Sequence, residues 1–362
     1  MTIPDRDISY MRSAMNMARR GQGRCAPCPS VGCVIVKDDI VVGRGRTAEG
    51  GRPHAEAAAL AQAGALARGA TVYVTLEPCA VQGRGGPCAD ALIKAGVKRV
   101  VIACLDLNLA VNGKGIELLK AAGVDVDLGV LEDEARYMHK GFFLKHREGR
   151  PLVRLKTACT LDGKVALSNG QSKWITGEYA RKHVHMIRGQ HDAVMVGIGT
   201  ALADDPMLTA RLDGVKHNTI RVVLDSRMQI SPDSKLVKSA KEYPLWVFYE
   251  EQSDSFKVLE NAGVILIENK NRDLESVLRV LTENNVTRLL VEGGAMLHSS
   301  FLKSGLWDEM MIYRSSSFFG GDAKNITADL NLTDVVNSFD MNRIHSQCLG
   351  QDTLEVYQRK TG

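Results

Sequence analysis

The sequence predicts two α/β domains in series, and three observations carry that expectation. Apolar runs of strand length alternate with stretches of helical period along the chain, the pattern of sheets layered by helices. The chain has 362 residues, more than the roughly 100–200 that one compact domain takes. A polar segment, HREGRP at 146–151, interrupts the alternation with Gly149 and Pro151, so the expected domains are 1–149 and 150–362.

In the first domain, the N-terminal stretch reads as an amphipathic helix with Ile8, Met11, Met15 and Ala18 on one side and Gly21 as its stop. VGCVIV (31–36) and IVVGRG (40–45) read as strands around Lys37-Asp38-Asp39, which has the polarity of a hairpin turn. An alanine-rich helix is expected from His54 to about Ala67, closed by Gly69. TVYVTL (71–76) is a strand ending at Glu77-Pro78-Cys79, CADALIKAG (88–96) a short glycine-capped helix, and KRVVIAC (98–104) another strand. GIELLKAAG, VDVDLGV and the charged helical stretch LEDEARYMHKGFFLKH complete the half. The second domain opens with the strand PLVRLKTA (151–158) and a helix near 178–190. Strands follow at DAVMVG (192–197), IRVVLD (220–225), LWVFYE (245–250) and VILIE (264–268), then a helix near 273–284. TRLLVEGG (287–294) leads into a further helix, and MMIYRS and TLEVYQ close the chain as strands.

Composition narrows the function. A hydrophobic share of 44% and a charged share of 24% are those of a globular protein. No apolar run of about 18 residues is present, so no membrane span is expected. A net charge of +4 and an aromatic share of 5% offer neither an electrostatic footprint nor stacking platforms for nucleic acid. They remain compatible with a small phosphorylated substrate. The first twenty residues lack the apolar core of a signal peptide, so the expected compartment is the cytoplasm, and the eight cysteines point to metal binding or free thiols.

The most specific motif is His54-Ala55-Glu56 followed by Pro78-Cys79 and Cys88. A catalytic zinc site takes three protein ligands and keeps one position open. His54, Cys79 and Cys88 supply one nitrogen and two sulfurs, with His54 and Cys88 where helices begin and thiolates are favoured. Glu56 lies two residues beyond the histidine and is placed to carry protons without binding metal. That division of labour is the one used by zinc deaminases. Cys25-Ala26-Pro27-Cys28 also has the spacing of a redox pair or half a structural zinc site. No second such pair completes it, so two thiols in a loop before a buried strand is the expectation.

PSVGCVIV, PHAE, TLEPC, GRGGPCADAL and DLNLAVNGKG, in that order, resemble the deaminase half of the bifunctional riboflavin-biosynthesis deaminase–reductases. KTACTLDGKVA, SKWIT, HMIRGQHDAVMVGIGTALADDPMLTAR, RVVLDS and VEGGAML extend the resemblance through the second half. It implies a cytidine-deaminase-like α/β/α sandwich followed by a dihydrofolate-reductase-like α/β domain. It also implies hydrolytic deamination of 2,5-diamino-6-(5-phosphoribosylamino)pyrimidin-4(3H)-one, then NADPH-dependent reduction of the ribosyl to a ribityl chain. One zinc per chain, NADPH and a homo-oligomer are implied with it.

Carried over by position, His54, Cys79 and Cys88 are the zinc ligands and Glu56 the proton carrier. Ala158, Trp174, Thr200, Asp204 and Ser226 fall at cofactor positions, as do Gly294, Ala295, Met296, Leu297, His298, Ser299 and Ser300. Ser172, Arg188, Leu208, Arg211 and Glu292 fall at substrate positions. The residue types suit these roles. Arg188 and Arg211 are fork-shaped cations fit for a phosphate, and Gly293-Gly294 at a strand–helix junction lets backbone approach a pyrophosphate. Asp204 or Glu292 is expected to assist proton movement as the sugar opens. Asp204-Asp205-Pro206 reads equally as a helix stop and Trp174 as core.

The family usually has asparagine at Cys28, histidine at Thr47, Ser-His-His at Ala80-Val81-Gln82, prolines at Leu107 and Leu109, and Pro-Lys within Ser315-Ser316-Ser317. Losing an amide partner costs a bound substrate about 1–3 kcal/mol. The zinc set and Glu56 are intact. The alternative to two working sites is an active reductase whose zinc domain is structural. A nucleic-acid deaminase shares the zinc chemistry but needs a basic or aromatic groove that neither charge nor composition offers.

Overall fold

A computed structural model describes residues 3–81, 86–108, 111–211, 219–335 and 339–360. It divides into two compact units, Met1–Arg150 and Pro151–Gly362.

The first unit runs α1 (Asp5–Arg19), β1 (Gly32–Lys37), β2 (Ile40–Arg46), α2 (Ala55–Ala63), β3 (Thr71–Val74), α3 (Cys88–Lys94), β4 (Arg99–Ile102), α4 (Lys114–Ala121), β5 (Asp125–Leu128) and α5 (Glu132–Glu148). Its sheet has the order β2-β1-β3-β4-β5. β1 pairs antiparallel with β2 and β3, and β3, β4 and β5 are parallel. The hairpin is tighter than the sequence suggests, because Lys37 belongs to β1 and Asp38-Asp39 alone make the turn. Both aspartates are left-handed (φ 48° and 59°), the two-residue geometry that matches strand twist. The alanine-rich sequence of α2 acts through packing. Its Ala55 and Ala59 carbonyls lie against β2 so closely that a Cβ on Gly45 or Gly43 would come within 2.1 and 2.3 Å of them. Helix and sheet are thereby locked together, fixing His54 and Glu56 at the start of α2. The α-helix ends at Ala63, short of the expected Ala67, because Gly64 turns left-handed (φ 54°) into a 3-10 turn over Gly64–Ala67.

The second unit comprises β6 (Leu152–Cys159), β7 (Lys164–Ala166), α6 (Glu178–Arg188), β8 (Ala193–Gly197), α7 (Ile198–Asp204), β9 (Ile220–Leu224), α8 (Lys235–Lys238), β10 (Leu245–Tyr249), α9 (Phe256–Asn261), β11 (Ile265–Glu268), α10 (Leu274–Glu283), β12 (Arg288–Val291), α11 (Ala295–Ser304), β13 (Glu309–Arg314), β14 (Lys324–Asn325), β15 (Met341–Leu349) and β16 (Asp352–Arg359). Its nine-stranded sheet has the order β11-β10-β9-β8-β12-β6-β13-β16-β15. The strands from β11 to β13 are parallel, and β16 and β15 extend the sheet antiparallel. Both faces of the central strands are covered: Val194, Val223, Val247 and Leu290 pack into one core, Met195, Val222, Trp246 and Leu289 into the other. This double burial is why these strands read as continuous apolar runs. After β6 the chain builds outward through β8–β11, then returns to insert β12 between β6 and β8. Such a reversal opens a crevice at the carboxyl ends of the parallel strands.

Candidate functional site

In the first unit, His54 caps the start of α2, Cys79 follows β3, and Cys88 begins α3 after Pro87. Their ligand atoms all lie within 4.8 Å of one another, and they form the one such metal-ligating group found among the described residues. His54 Nδ1 is 3.2 Å from Cys88 Sγ and 3.6 Å from Cys79 Sγ. Donors around one tetrahedral zinc ion stand about 3.5–3.8 Å apart, so an N,S,S set of this spacing fits the metal and leaves a position open. The Cys79 thiol is pulled down to about 4 by its hydrogen bond from the Cys88 thiol and by His54. One sulfur is thus prepared as a thiolate, while Cys88 is pushed up by the same bond.

Glu56, in the first turn of α2, is only 3% exposed. Burial raises its carboxyl above the ordinary range, partly offset by His54. A raised carboxyl beside a metal site is suited to take up a proton and give it back. The Cys28 thiol, the first cause of a His54 imidazole pushed up to about 10, also belongs to this site. It packs against Gly51, where a Cβ would meet its sulfur at 2.7 Å. Cys25, by contrast, is buried and directs its thiol at the carbonyls of Gly21 and Thr47, at 3.1 and 3.3 Å.

Thr47 is buried and acts as a loop clamp. Its hydroxyl donates to the Pro29 carbonyl and accepts from the Val31 amide, both at 2.9 Å. Thr47→Val removes both bonds and leaves the Val31 amide and the Pro29 carbonyl only their direct bond to each other at 3.1 Å, so stability falls by about 1 kcal/mol, measurable as a fall in the urea midpoint. Unchanged stability would contradict the clamp. The carboxylate of Glu77 is a feature that sequence reasoning passed over. It accepts from the amides of Asp106, Gly113, Gly115 and Ile116 at 3.0–3.3 Å, tying the segment before α4 to the loop that carries Cys79. The TLEPC motif held that signal, because a carboxylate two residues before a ligand has a loop to order. Gln82 and Leu109 lie outside the described residues.

In the second unit, a cleft of about 1390 Å³ lies at the carboxyl ends of β6, β8, β9 and β12. Of the residues the resemblance assigned to cofactor and substrate, all line it except Ser299. Ser299 faces the other side of α11, where its hydroxyl accepts from the Ala328 amide at 2.9 Å and donates to the Ala328 carbonyl at 3.3 Å. Its side chain packs the helix against the 326–330 segment instead of touching a cofactor. Trp174 is 71% exposed at the cleft, with the Arg181 guanidinium 4.6 Å over its ring, so it is not a core residue. Gly293 and Gly294 adopt φ 130° and 77°, and added Cβ atoms would crowd Thr200 Oγ1 at 3.4 and 3.2 Å. Only glycine permits this cradle of backbone at the start of α11, and it fits a dinucleotide pyrophosphate.

The charged residues of the cleft are rearranged relative to expectation. Arg188 binds both oxygens of Glu292, at 2.5 and 2.9 Å, and sends its remaining nitrogen to the Thr209 carbonyl. Each of its three nitrogens has a partner, so Arg188 holds Glu292 in place in the cleft wall. The Arg211 guanidinium has no partner among the described residues and keeps that role open. Lys156, which sequence reasoning did not single out, stands 3.7 Å from Glu292 and 5.7 Å from the centre of the Tyr313 ring. Burial pulls its ammonium below the ordinary lysine range, against the attraction of Glu292. Burial alone would raise Glu292, but Arg188 and Lys156 hold it down at about 2. Glu292 is therefore held as a carboxylate at neutral pH, so of the two acids expected to assist proton movement it is placed to accept a proton and not to bring one. Asp204 ends α7, its carboxylate half-exposed in the cleft wall 3.8 Å from Lys173 Nζ.

Residues 151–354 match the family described as the RibD C-terminal domain, and residues 4–104 the cytidine and deoxycytidylate deaminase zinc-binding region. The chain is 39% identical over 357 residues to the riboflavin biosynthesis protein RibD of Aquifex aeolicus, covering 99% of each. It is 40% identical over 334 residues to RibD of Escherichia coli, covering 88% of this chain and 90% of the relative. Among solved structures, Acinetobacter baumannii RibD aligns with a TM-score of 0.89 at 38% identity over 99% of both chains. The diaminohydroxyphosphoribosylaminopyrimidine deaminase/5-amino-6-(5-phosphoribosylamino)uracil reductase of Thermotoga maritima aligns at 0.88 and 34%, over 98% of this chain and 99% of that one.

Proposed function

The chain belongs to the RibD family, the bifunctional deaminase–reductases of riboflavin biosynthesis, and on that premise we propose which of its residues carry each reaction. The observation that supports two working sites is the coexistence of an open-position zinc set beside a buried glutamate with a second, dinucleotide-sized cleft in the other unit. A purely structural zinc module has no use for Glu56, and that alternative is not favoured.

For deamination of the diaminopyrimidine ribotide, His54, Cys79 and Cys88 hold the metal. Bound zinc supplies the Lewis acidity that makes water a nucleophile at neutral pH. Glu56 would accept a proton from the attacking water and return it to the departing amine, its raised carboxyl keeping both transfers accessible. Cys28 lies beside His54 where the family places an amide, so it contacts the pyrimidine edge with a weaker hydrogen-bonding group.

For reduction, NADPH supplies the hydride when bound along the carboxyl ends of the strands. The residues around it orient and charge the site. Arg211 takes the substrate phosphate, the Arg188–Glu292–Lys156 cluster fixes the charge at the reacting end, and Asp204 moves the proton as the sugar opens. Asp204→Asn is expected to slow single-turnover NADPH oxidation by about 100-fold or more while NADPH affinity stays within a few fold. An unchanged single-turnover rate would remove Asp204 from the proton path.

We further propose that the chain works as a homo-oligomer in the cytoplasm. The nine-residue edge strand β15, exposed along most of its length, supports the first part as a free pairing edge. Among the described residues no helix is long and apolar enough to cross a membrane. Light scattering of the purified chain tests the oligomer, and a monomer at all concentrations would contradict it.

A further inference from the structure

The reductase cleft extends along the sheet past the glycine cradle. β9 lies two strand positions from β12 and ends beside Ser226, about 10 Å along the hydrogen-bonding direction. Two positions further, β11 is followed by the turn Lys270-Asn271-Arg272, and Arg272 lines the same cleft as Ser226. A dinucleotide that put its pyrophosphate at Gly293-Gly294 and its nicotinamide toward β6 would have its adenosine ribose directed along the cleft toward this end.

Three features of the turn single it out. Asn271 and Arg272 are both left-handed (φ 61° and 52°), a conformation that costs non-glycine residues energy and persists where the surroundings hold it. What holds it is Glu250, the first residue after β10, which accepts from the Asn271 amide at 3.1 Å and from Arg272 Nε at 2.8 Å. Glu250 is itself seated by the cofactor segment, because the amides of Glu250 and Glu251 both donate to the Ser226 carbonyl. An acid at such a strand end ordinarily binds the ribose 2′-hydroxyl of NAD, whereas an arginine there accommodates the 2′-phosphate of NADP. Here the acid is occupied by the turn, and both Nη nitrogens of Arg272 remain without a partner among the described residues. The other acids on this rim do not oppose a phosphate strongly. Asp273 turns its carboxylate onto the amides of Glu275 and Ser276, and Glu275 is exposed and screened by solvent.

We propose that Arg272, positioned by Glu250, recognises the 2′-phosphate of NADPH and sets the preference for NADPH over NADH. The proposal rests on the cleft being the NADPH site. Of the neighbouring cations, Arg227, next to Ser226 in sequence, does not line the cleft, and Lys235, which does, has its ammonium 3.5 Å from the Asp205 carboxylate.

The test is calorimetric binding of adenosine 2′,5′-bisphosphate and of adenosine 5′-monophosphate to the full chain, alongside kcat/KM for NADPH and NADH. The variants are Arg272→Ala, Arg272→Lys and Arg227→Ala. Arg272→Ala is expected to weaken the bisphosphate by about 10- to 100-fold, the worth of a charge-assisted pair, without changing the monophosphate. KM for NADPH rises by the same factor, NADH use is retained, and Arg272→Lys recovers part of the loss. Equal loss of both nucleotides, no loss, or the loss appearing in Arg227→Ala instead would overturn the assignment. A wild-type chain that binds neither nucleotide and oxidises no NADPH would contradict the cofactor site itself, a separate failure.

Discussion

Glu56→Gln is expected to release ammonia about a thousandfold more slowly than the wild-type chain while holding the same zinc. The amide keeps the size of the carboxylate and leaves His54, Cys79 and Cys88 untouched, so the metal set of donors within 4.8 Å stays assembled. What it removes is the group able to accept a proton from water and return it to the leaving amine, a contribution of about 100- to 10,000-fold. Zinc content by atomic absorption and an unchanged circular dichroism spectrum separate lost chemistry from lost structure. A variant with full ammonia release would show that another group moves the proton. A variant that loses zinc would place Glu56 among the ligands instead of beside them.

The second large effect lies in the reductase unit. Glu292→Gln is expected to abolish reduction and to destabilise this unit by about 3–5 kcal/mol, the cost of leaving a buried ion pair without one partner. Glu292 is 5% exposed at its side chain and Arg188 13%, and Lys156 is the second cation that would be left uncompensated. All three tryptophans, Trp174, Trp246 and Trp307, lie beyond residue 150, so fluorescence-detected urea unfolding reports the affected unit alone. The pH dependence has a definite sign. Glu292 titrates at about 2 in the folded chain, below its unfolded value of about 4.3. Its stabilising contribution is complete above the unfolded value and is lost as pH falls through the folded one. The gap between wild type and Glu292→Gln therefore closes toward pH 2 and stays constant above about pH 5. A gap unchanged at low pH would mean that the cluster is not held by charge. Ammonia release, carried by the other unit, should persist in this variant.

The zinc set was legible because its chemistry is written in residue types at element ends: a histidine at a helix start, a cysteine after a strand, and a cysteine opening the next helix. The central strands were legible for a related reason, since burial on both faces forces apolar runs. β15 was not, because a strand exposed on both faces carries no period-two signal, and its sequence MNRIHSQCL has none. The short pair β7 and β14 is set by contacts between residues about 160 positions apart and leaves no local trace. Long-range pairing also explains what was misread in the cleft. Arg188 alone looks like a phosphate ligand, and only the fold brings Glu292 to its fork. Thr47 reads as a lost histidine, and only the loop around it shows a clamp between Pro29 and Val31. Ser299 shares a motif with cleft residues but faces away on the helix.

The central claim is that one chain performs two successive reactions at two sites. The most direct measurement gives the zinc-loaded chain the diaminopyrimidine ribotide, first without and then with NADPH, following ammonia and NADPH together. The account predicts ammonia release without NADPH, and NADPH oxidation that begins only after ammonia has appeared. A folded, zinc-holding chain that releases no ammonia, yet oxidises NADPH when given the aminouracil ribotide directly, would contradict it.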